Sequence, residues 1–310
     1  MRLLIFLFLA LTTIPLYSAK DSTQLFSTSY GDPGRPAIIF LHGGPGYNSY
    51  SFELTTAQQL ADSGFFVIIY DRRGCGRSAS ALNPQYTFEQ ATADLDSIYL
   101  RYFINRATLL CHNFGGLIGL KYAEYYSYKV DRLILNNVPV NYMLVDNDIR
   151  DIMLKEAEDS QSYADNIATT LKQDSLSLIY HRAVFGQYFG LGYYYPPSPS
   201  EECRHSYSFL QKNKDPLLTR TDEGEVRGFY NREAFNNRDF SNSFKVAKSN
   251  EVKIFGIYGD GDVMFGELHR QKLRDLIGEN NMVIIPDARY NTFLEQKTLY
   301  LNTVIEMMKK

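Results

Sequence analysis

The sequence predicts an α/β protein built on a mostly parallel sheet, and three observations carry that prediction. Continuous apolar runs of strand length recur along the chain, each ending in a glycine- or aspartate-rich turn. Stretches with helical spacing lie between them, and one long polar and aromatic stretch interrupts the rhythm. A strand with no polar alternation has both faces covered, as in a parallel sheet with helices on each side. In order, Pro36 to Leu41 runs into His42-Gly43-Gly44-Pro45-Gly46, and Phe65 to Tyr70 ends at Asp71. Ala107 to Cys111 leads through His112-Asn113-Phe114-Gly115-Gly116 into a helical pattern over Leu117 to Tyr128. Leu133 to Leu135 is a short strand within VDRLILNN. After the interruption, Val252 to Tyr258 ends at Gly259-Asp260-Gly261-Asp262, and Met282 to Ile285 ends at Pro286-Asp287. Ligands of such sheets bind outside the carboxyl ends of the strands, where all these turns fall.

The interruption, 139–249, is helix-like and then aromatic and proline-rich at FGQYFGLGYYYPPSPS, with no convincing strand. Because the strand pattern resumes at Val252, it reads as a helical cap inserted in the sheet domain rather than an independent domain. At the other end, Met1-Arg2 is followed by an uncharged apolar run from Leu3 to Tyr17 and small residues at Ser18-Ala19. That is the pattern of a secretory signal over 1–19 and predicts an exported, periplasmic or secreted protein. An uncleaved anchor is the rival, although the run, with Pro15 inside it, is short for a span of about 20 residues. A membrane is a partner only on that rival reading.

Composition excludes several classes. Hydrophobic residues make up 45% and charged residues 22% of 310, which suits a globular core and not a disordered chain. The balance of 32 basic and 35 acidic side chains shows no basic block, so nucleic acid is not an expected partner. Cys75, Cys111 and Cys203 form neither a disulfide framework nor a metal set, and no metal or cofactor is expected.

His112 to Gly116 between a strand and a helix is the context of a nucleophile elbow, a tight turn that raises one side chain above the sheet. The next N–H, of Phe114, and the loop at Gly43 and Gly44 would supply oxyanion donors. Together with Asp71-Arg72-Arg73-Gly74-Cys75-Gly76-Arg77-Ser78, these motifs resemble the α/β-hydrolases, and within them the proline iminopeptidase-like branch. The resemblance runs from about Leu25 to Lys309 and is loose through the cap. It implies an eight-stranded, mostly parallel sheet with helices on both faces, a hydrolase core over 20–138 and 250–310, and a cap at 139–249.

The resemblance also implies a Ser–Asp–His triad, and here the residues differ. The nucleophile position is Asn113, the acid position Asp262, and Tyr290 stands in the His position of PDARYNTFLE. A carboxamide is no nucleophile, and a phenol with an ordinary pKa near 10 does not take up a proton at neutral pH. Losing the Ser or the His alone costs a serine protease about 2 × 10⁶ in turnover. The leading expectation is therefore an impaired hydrolase that binds a small molecule, a peptide end or a partner in a cap-covered pocket. The alternative is an active peptidase or esterase with a reorganised site, led by Asp262 and a cap histidine, His181 or His205; deamidation of Asn113 would still leave no water-activating His. His112 reads as core, His269 as a surface residue, and Arg72, Arg73 and Arg77 as braces of their loop. Tyr188, Phe189, Tyr193, Tyr194 and Tyr195 are candidate walls of the pocket. Family members use cap Trp and Glu for the substrate's N-terminal end, and this chain has no Trp.

Overall fold

The computed structural model describes residues 25–79, 83–215, 218 and 221–310. The candidate signal over 1–19 lies outside the described residues. Seven strands form one sheet: β1 (Ser27–Tyr30), β2 (Ala37–Leu41), β3 (Phe66–Tyr70), β4 (Ala107–His112), β5 (Val130–Asn136), β6 (Lys253–Gly259) and β7 (Met282–Ile285). Their order is β1-β3-β2-β4-β5-β6-β7, all parallel except β1, which pairs antiparallel to β3. The expected eight strands are thus seven among the described residues. One of them, β1, is a polar edge strand that a search for apolar runs passes over.

Helices α1 (Tyr50–Phe52) and α2 (Gln58–Asp62) flank a π-helical turn, and α3 (Phe88–Arg101) and α4 (Phe114–Tyr125) follow. Between β5 and β6 come α5 (Tyr142–Glu158), α6 (Gln161–Leu171), α7 (Leu178–Gly190), α8 (Glu201–Lys212), α9 (Glu223–Glu233) and α10 (Ser241–Ser249). The chain closes with α11 (Glu267–Ile277), α12 (Thr292–Glu295) and α13 (Lys297–Lys309). Alternation along each strand divides the core into two layers. Ile39, Leu41, Leu109 and Cys111 pack with Leu95 of α3, Leu117 of α4 and Leu273 of α11. Ile38, Phe40 and Leu110 pack with Phe52, Leu60 and α13's Tyr300 and Val304 on the other face. Helix α10 belongs to the first layer: Phe244 and Ala247 are buried there, and Ser243 donates to Glu124 of α4.

Strand β5 extends beyond Leu133 to Leu135 because its charged start is paired. Arg132 donates to the Met308 carbonyl and meets Asp131 at 2.9 Å, so burial there leaves no bare charge. His269, expected at the surface, is fully buried, because its Nε2 accepts the Val140 N–H at 3.0 Å. No helix among the described residues is long and apolar enough to cross a membrane.

Helix α4 packs so closely that two positions of its first turn, Gly115 and Gly116, tolerate no Cβ. One placed on Gly115 would stand 2.3 Å from the Leu41 carbonyl oxygen, and one on Gly116 2.3 Å from Val138. Gly186, inside α7, has open space instead. Gly115→Ala therefore lowers the unfolding free energy by about 3 kcal/mol or more, whereas Gly186→Ala is neutral or raises it by up to about 1 kcal/mol. Urea unfolding of the two variants checks this.

Candidate active site

The carboxyl ends of β2, β3, β4, β5 and β6 converge under the cap. Asn113 occupies the turn between β4 and α4 with φ 45° and ψ −120°, a region that costs a non-glycine residue about 1–3 kcal/mol. Two backbone bonds hold it there, Asn113 N–H to the Asn136 carbonyl at 2.9 Å and Gly116 N–H to the Asn113 carbonyl at 2.8 Å. Its side chain turns back on its own helix: Oδ1 accepts the Phe114 N–H at 2.8 Å and the Tyr142 hydroxyl at 3.1 Å. The N–H expected to serve as an oxyanion donor is thereby already bonded. Gly43 approaches closely, since a Cβ there would lie 2.9 Å from His112 Nδ1 and 3.6 Å from Asn113 Cβ. Gly44, at φ 127°, lines the cavity, and its N–H has no partner among the described residues.

The residue that links the site is Asn137, directly after β5 and also at positive φ. Its carbonyl accepts Asn113 Nδ2 at 3.3 Å, and its own Nδ2 donates to Asp262 Oδ2 at 2.6 Å and to the Arg289 carbonyl at 3.2 Å. Asn113 and Asp262 thus meet through Asn137 and not directly. Tyr290 makes no hydrogen bond to either, and the three positions of the motif are joined only as far as an Asn113–Asn137–Asp262 chain. Asp262 is fully buried and burial pushes its carboxyl up to about 6, against hydrogen bonds from Met264 N–H and Asn137. Burial, reinforced by Asp262 and Tyr47, also pushes the Tyr290 phenol well above its usual range.

His112 turns away from the cavity: its Nε2 meets the Tyr290 carbonyl at 3.2 Å, and burial lowers it to about 4. Loop 286–291 is pinned from behind by Glu295, which accepts the Arg289 and Asn291 N–H groups and the Tyr207 hydroxyl of α8. Burial pushes that carboxyl up to about 7.

Arg72, Arg73 and Arg77 all make bracing contacts. Arg73 pairs with Asp94 at 2.6 Å, and Arg77 with Asp71 at 2.8 Å and with Glu53. Arg72 meets Glu225 of α9 at 2.7 Å and donates to the carbonyls of His42 and Gly43. The fully buried Glu225 also accepts from Gly46 N–H and from Cys75. Burial works to raise the Glu225 carboxyl, but the Arg72 guanidinium outweighs it and holds the group below the usual range.

A cavity of about 710 Å³ opens above Asn113. Eight of its twenty lining residues are Tyr or Phe. Of the five cap aromatics expected there, only Phe189 and Tyr194 line it. Tyr188 is buried in the core, Tyr193 donates to Glu156, and Tyr195 packs on Tyr207. The larger share comes from Tyr47, Tyr142, Phe185, Tyr207, Phe235 and Tyr290, which are scattered along the sequence. His181 lines the cavity and bonds Asp146, while His205 is exposed on α8. Asp262 is not among the lining residues, so it and a cap histidine do not come together. No His, Cys, Asp or Glu cluster among the described residues has the makings of a metal site.

The chain is similar to known proteins to different depths. The chain matches the alpha/beta hydrolase fold family over residues 36–296. It is 33% identical over 117 residues to a proline iminopeptidase of Pestalotiopsis fici, covering 37% of this chain and 41% of that protein. It is 28% identical over 148 residues to a proline iminopeptidase of Lactobacillus delbrueckii subsp. bulgaricus, 46% of this chain and 50% of the relative. Epoxide hydrolase 1 of Caenorhabditis elegans is 27% identical over 125 residues, 40% of this chain and 30% of that one. The matches thus span half or less of these relatives' lengths. The crystal structure of a proline iminopeptidase from Mycobacterium smegmatis superposes with a TM-score of 0.62 at 18% identity, covering 92% of this chain and 93% of that one.

Two predictions follow from the pinned loops. Glu225→Leu or Arg72→Met alone leaves a buried charge bare and costs about 3–5 kcal/mol, while the double variant costs well under the sum. Additive losses in urea unfolding would contradict the pairing. The Glu295 carboxyl is raised in the folded chain, so the stability it contributes is present below pH 4.5 and lost as pH rises through about 7. Glu295→Gln removes that loss. The unfolding free energy of the variant minus that of the wild type should climb by about 3 kcal/mol from pH 4.5 to pH 8, whatever its constant offset.

Proposed function

Since the chain belongs to the alpha/beta hydrolase fold family, we propose that it is a member without triad hydrolysis that binds a small molecule in the cap-covered cavity. One observation supports this above others: Asn113, where the motif expects a nucleophile, offers a carboxamide whose oxygen caps the Phe114 N–H. That contact fills the oxyanion position with the protein's own group, so the residue that fails to attack also occupies the place where a carbonyl would be polarised. Opposite it, Tyr290 presents a phenol that burial keeps protonated. His112, the nearest imidazole in sequence, is spent on a backbone carbonyl.

The proline iminopeptidase-like ancestry is in keeping with the loops but not with the cavity. Recognition of a peptide's ammonium end needs a free carboxylate. Glu223, the acidic residue on the cavity wall, is held bidentately by Arg182 at 2.6 and 2.7 Å. A small uncharged ligand suits an aromatic cavity of this size better.

Turnover of activated esters and of aminoacyl anilides by the wild type should equal that of Asn113→Ala. Loss of a measurable wild-type rate in that variant would sink the proposal. Asn113→Ser with Tyr290→His should restore a slow esterase. Adding Asn137→Ala, which releases Asp262 to the new imidazole, should raise kcat by about tenfold or more.

A further inference from the structure

His181 on the cavity wall and its partner Asp146, which does not line the cavity, form a polar pair that the bonds described above do not tie to the rest of the site. His181 Nδ1 lies 2.9 and 3.1 Å from the two Asp146 oxygens, and no other hydrogen bond joins the pair to the protein among the described residues. Both side chains are largely buried, with that of His181 10% exposed and that of Asp146 7%. A carboxylate accepts and does not donate, so the proton between them sits on Nδ1, and in an uncharged imidazole this arrangement leaves the lone pair on Nε2. That Nε2 has no partner among the described residues, yet it is not sealed off, and His181 lines the cavity. Around the imidazole stand Phe185 with ring centres 4.7 Å away, Tyr142 at 5.5 Å and Phe235 at 6.2 Å. An acceptor framed by rings asks for a flat ligand bearing a donor.

Several other polar groups on the wall are already engaged. The Tyr142 hydroxyl donates to Asn113, Tyr207 to Glu295, and the Arg182 and Glu223 charges cancel each other. The Gly44 N–H, opposite in character, remains to donate. Within this aromatic lining the His181 imidazole is held in place by its own carboxylate partner, and the charges of Arg182 and Glu223 compensate each other.

We propose that His181 Nε2 is the specificity anchor of this cavity, accepting a hydrogen bond from the hydroxyl or N–H of a flat, uncharged aromatic ligand. Asp146 is its positioning residue: it sets the tautomer that makes Nε2 an acceptor. The inference rests on the cavity-binding function proposed above and names the ligand class it would take. A ligand of the same shape without the donor leaves a buried lone pair unpaired, and such mismatches cost more than the matched bond contributes.

The test uses 2-naphthol and 2-methoxynaphthalene, equal in shape and different in the donor. Because the chain has no Trp, naphthalene emission can be titrated without indole background. The wild type should bind 2-naphthol about tenfold or more tightly than the ether. His181→Phe should bring the two within about twofold, and Asp146→Asn should weaken the preference while still binding the ether. Gly186→Phe, which sends a ring into the cavity from a position with open space around its Cβ, should abolish both. In ¹⁵N-histidine spectra the His181 Nε2 should show an unprotonated shift that moves with 2-naphthol and not with the ether, a readout needing no variant. Equal wild-type affinities that Gly186→Phe abolishes, or an unmoved Nε2, overturn the anchor and leave the cavity function standing. No binding, or binding indifferent to Gly186→Phe, overturns both.

Discussion

The buried ion pair between Arg72 and Glu225 is the constraint from which the rest of the site takes its shape. Arg72 leaves the end of β3, Glu225 comes down from α9, and the two charges meet buried at the junction of sheet and cap. Neither charge would remain there alone, so every other hydrogen-bonding edge of the two groups is also satisfied. The guanidinium takes the carbonyls of His42 and Gly43, and the carboxylate takes the Gly46 N–H and the Cys75 thiol. The glycines follow from this arrangement. A Cβ on Gly44 would stand 2.9 Å from the Arg72 guanidinium, and one on Gly46 2.8 Å from Thr221 and Val226. A loop that resembles an oxyanion loop is thus also the socket of an ion pair, which gives it a structural reason to persist without catalysis.

The same separation of form from chemistry holds at Asn113. A strained turn usually implies a function that needs the strain. Here the strain is held by the backbone bonds to Asn136 and Gly116 and by the close approach of Gly115 to β2, none of which involves the side chain at the apex. The turn would form around any residue able to bear φ near 45°. Asn is among the better choices, because its short amide can bond locally, as it does to Phe114. Elbow geometry in this chain is therefore evidence of fold and is silent about attack.

What could be read from the sequence followed range. The apolar strands, the glycine turns at their carboxyl ends and the helical stretch between β5 and β6 depend on neighbours in sequence, and periodicity reveals them. Strand β1, STSY, was illegible because an edge strand half open to solvent has no apolar run. The interactions that build the site were illegible for a different reason: Arg72 and Glu225 are 153 residues apart, Asn137 and Asp262 are 125 apart, and His181 and Asp146 lie on different cap helices. In its own segment, EGEVRGFYNRE, Glu225 reads as one more charge on a solvated helix face. Asn137 closes an apolar strand where an asparagine suggests only a turn. The one available signal was its doubling with Asn136, two amides at the carboxyl end of a central strand, where a buried polar group needs partners.

The state of Asp262 links the proposed loss of chemistry to the character of the cavity. In a working triad the buried carboxylate holds its charge because an imidazole hydrogen-bonds to it and shares its burden when protonated. Here the partner is the neutral amide of Asn137, and the nearest ring is the phenol of Tyr290, which can offer no cation. Burial then has less to oppose it, and the carboxyl rises to about 6. A group that titrates so readily under the floor of a cavity would make ligand binding sensitive to pH if it faced the ligand directly. Asn137 stands in between, passing a hydrogen bond on each side while keeping the carboxylate off the lining. The floor is left uncharged, with an amide at Asn113 and a phenol at Tyr290. An uncharged floor under aromatic walls leaves directional choice to the polar groups around it, and in the cap an imidazole held by its own carboxylate stands at the wall.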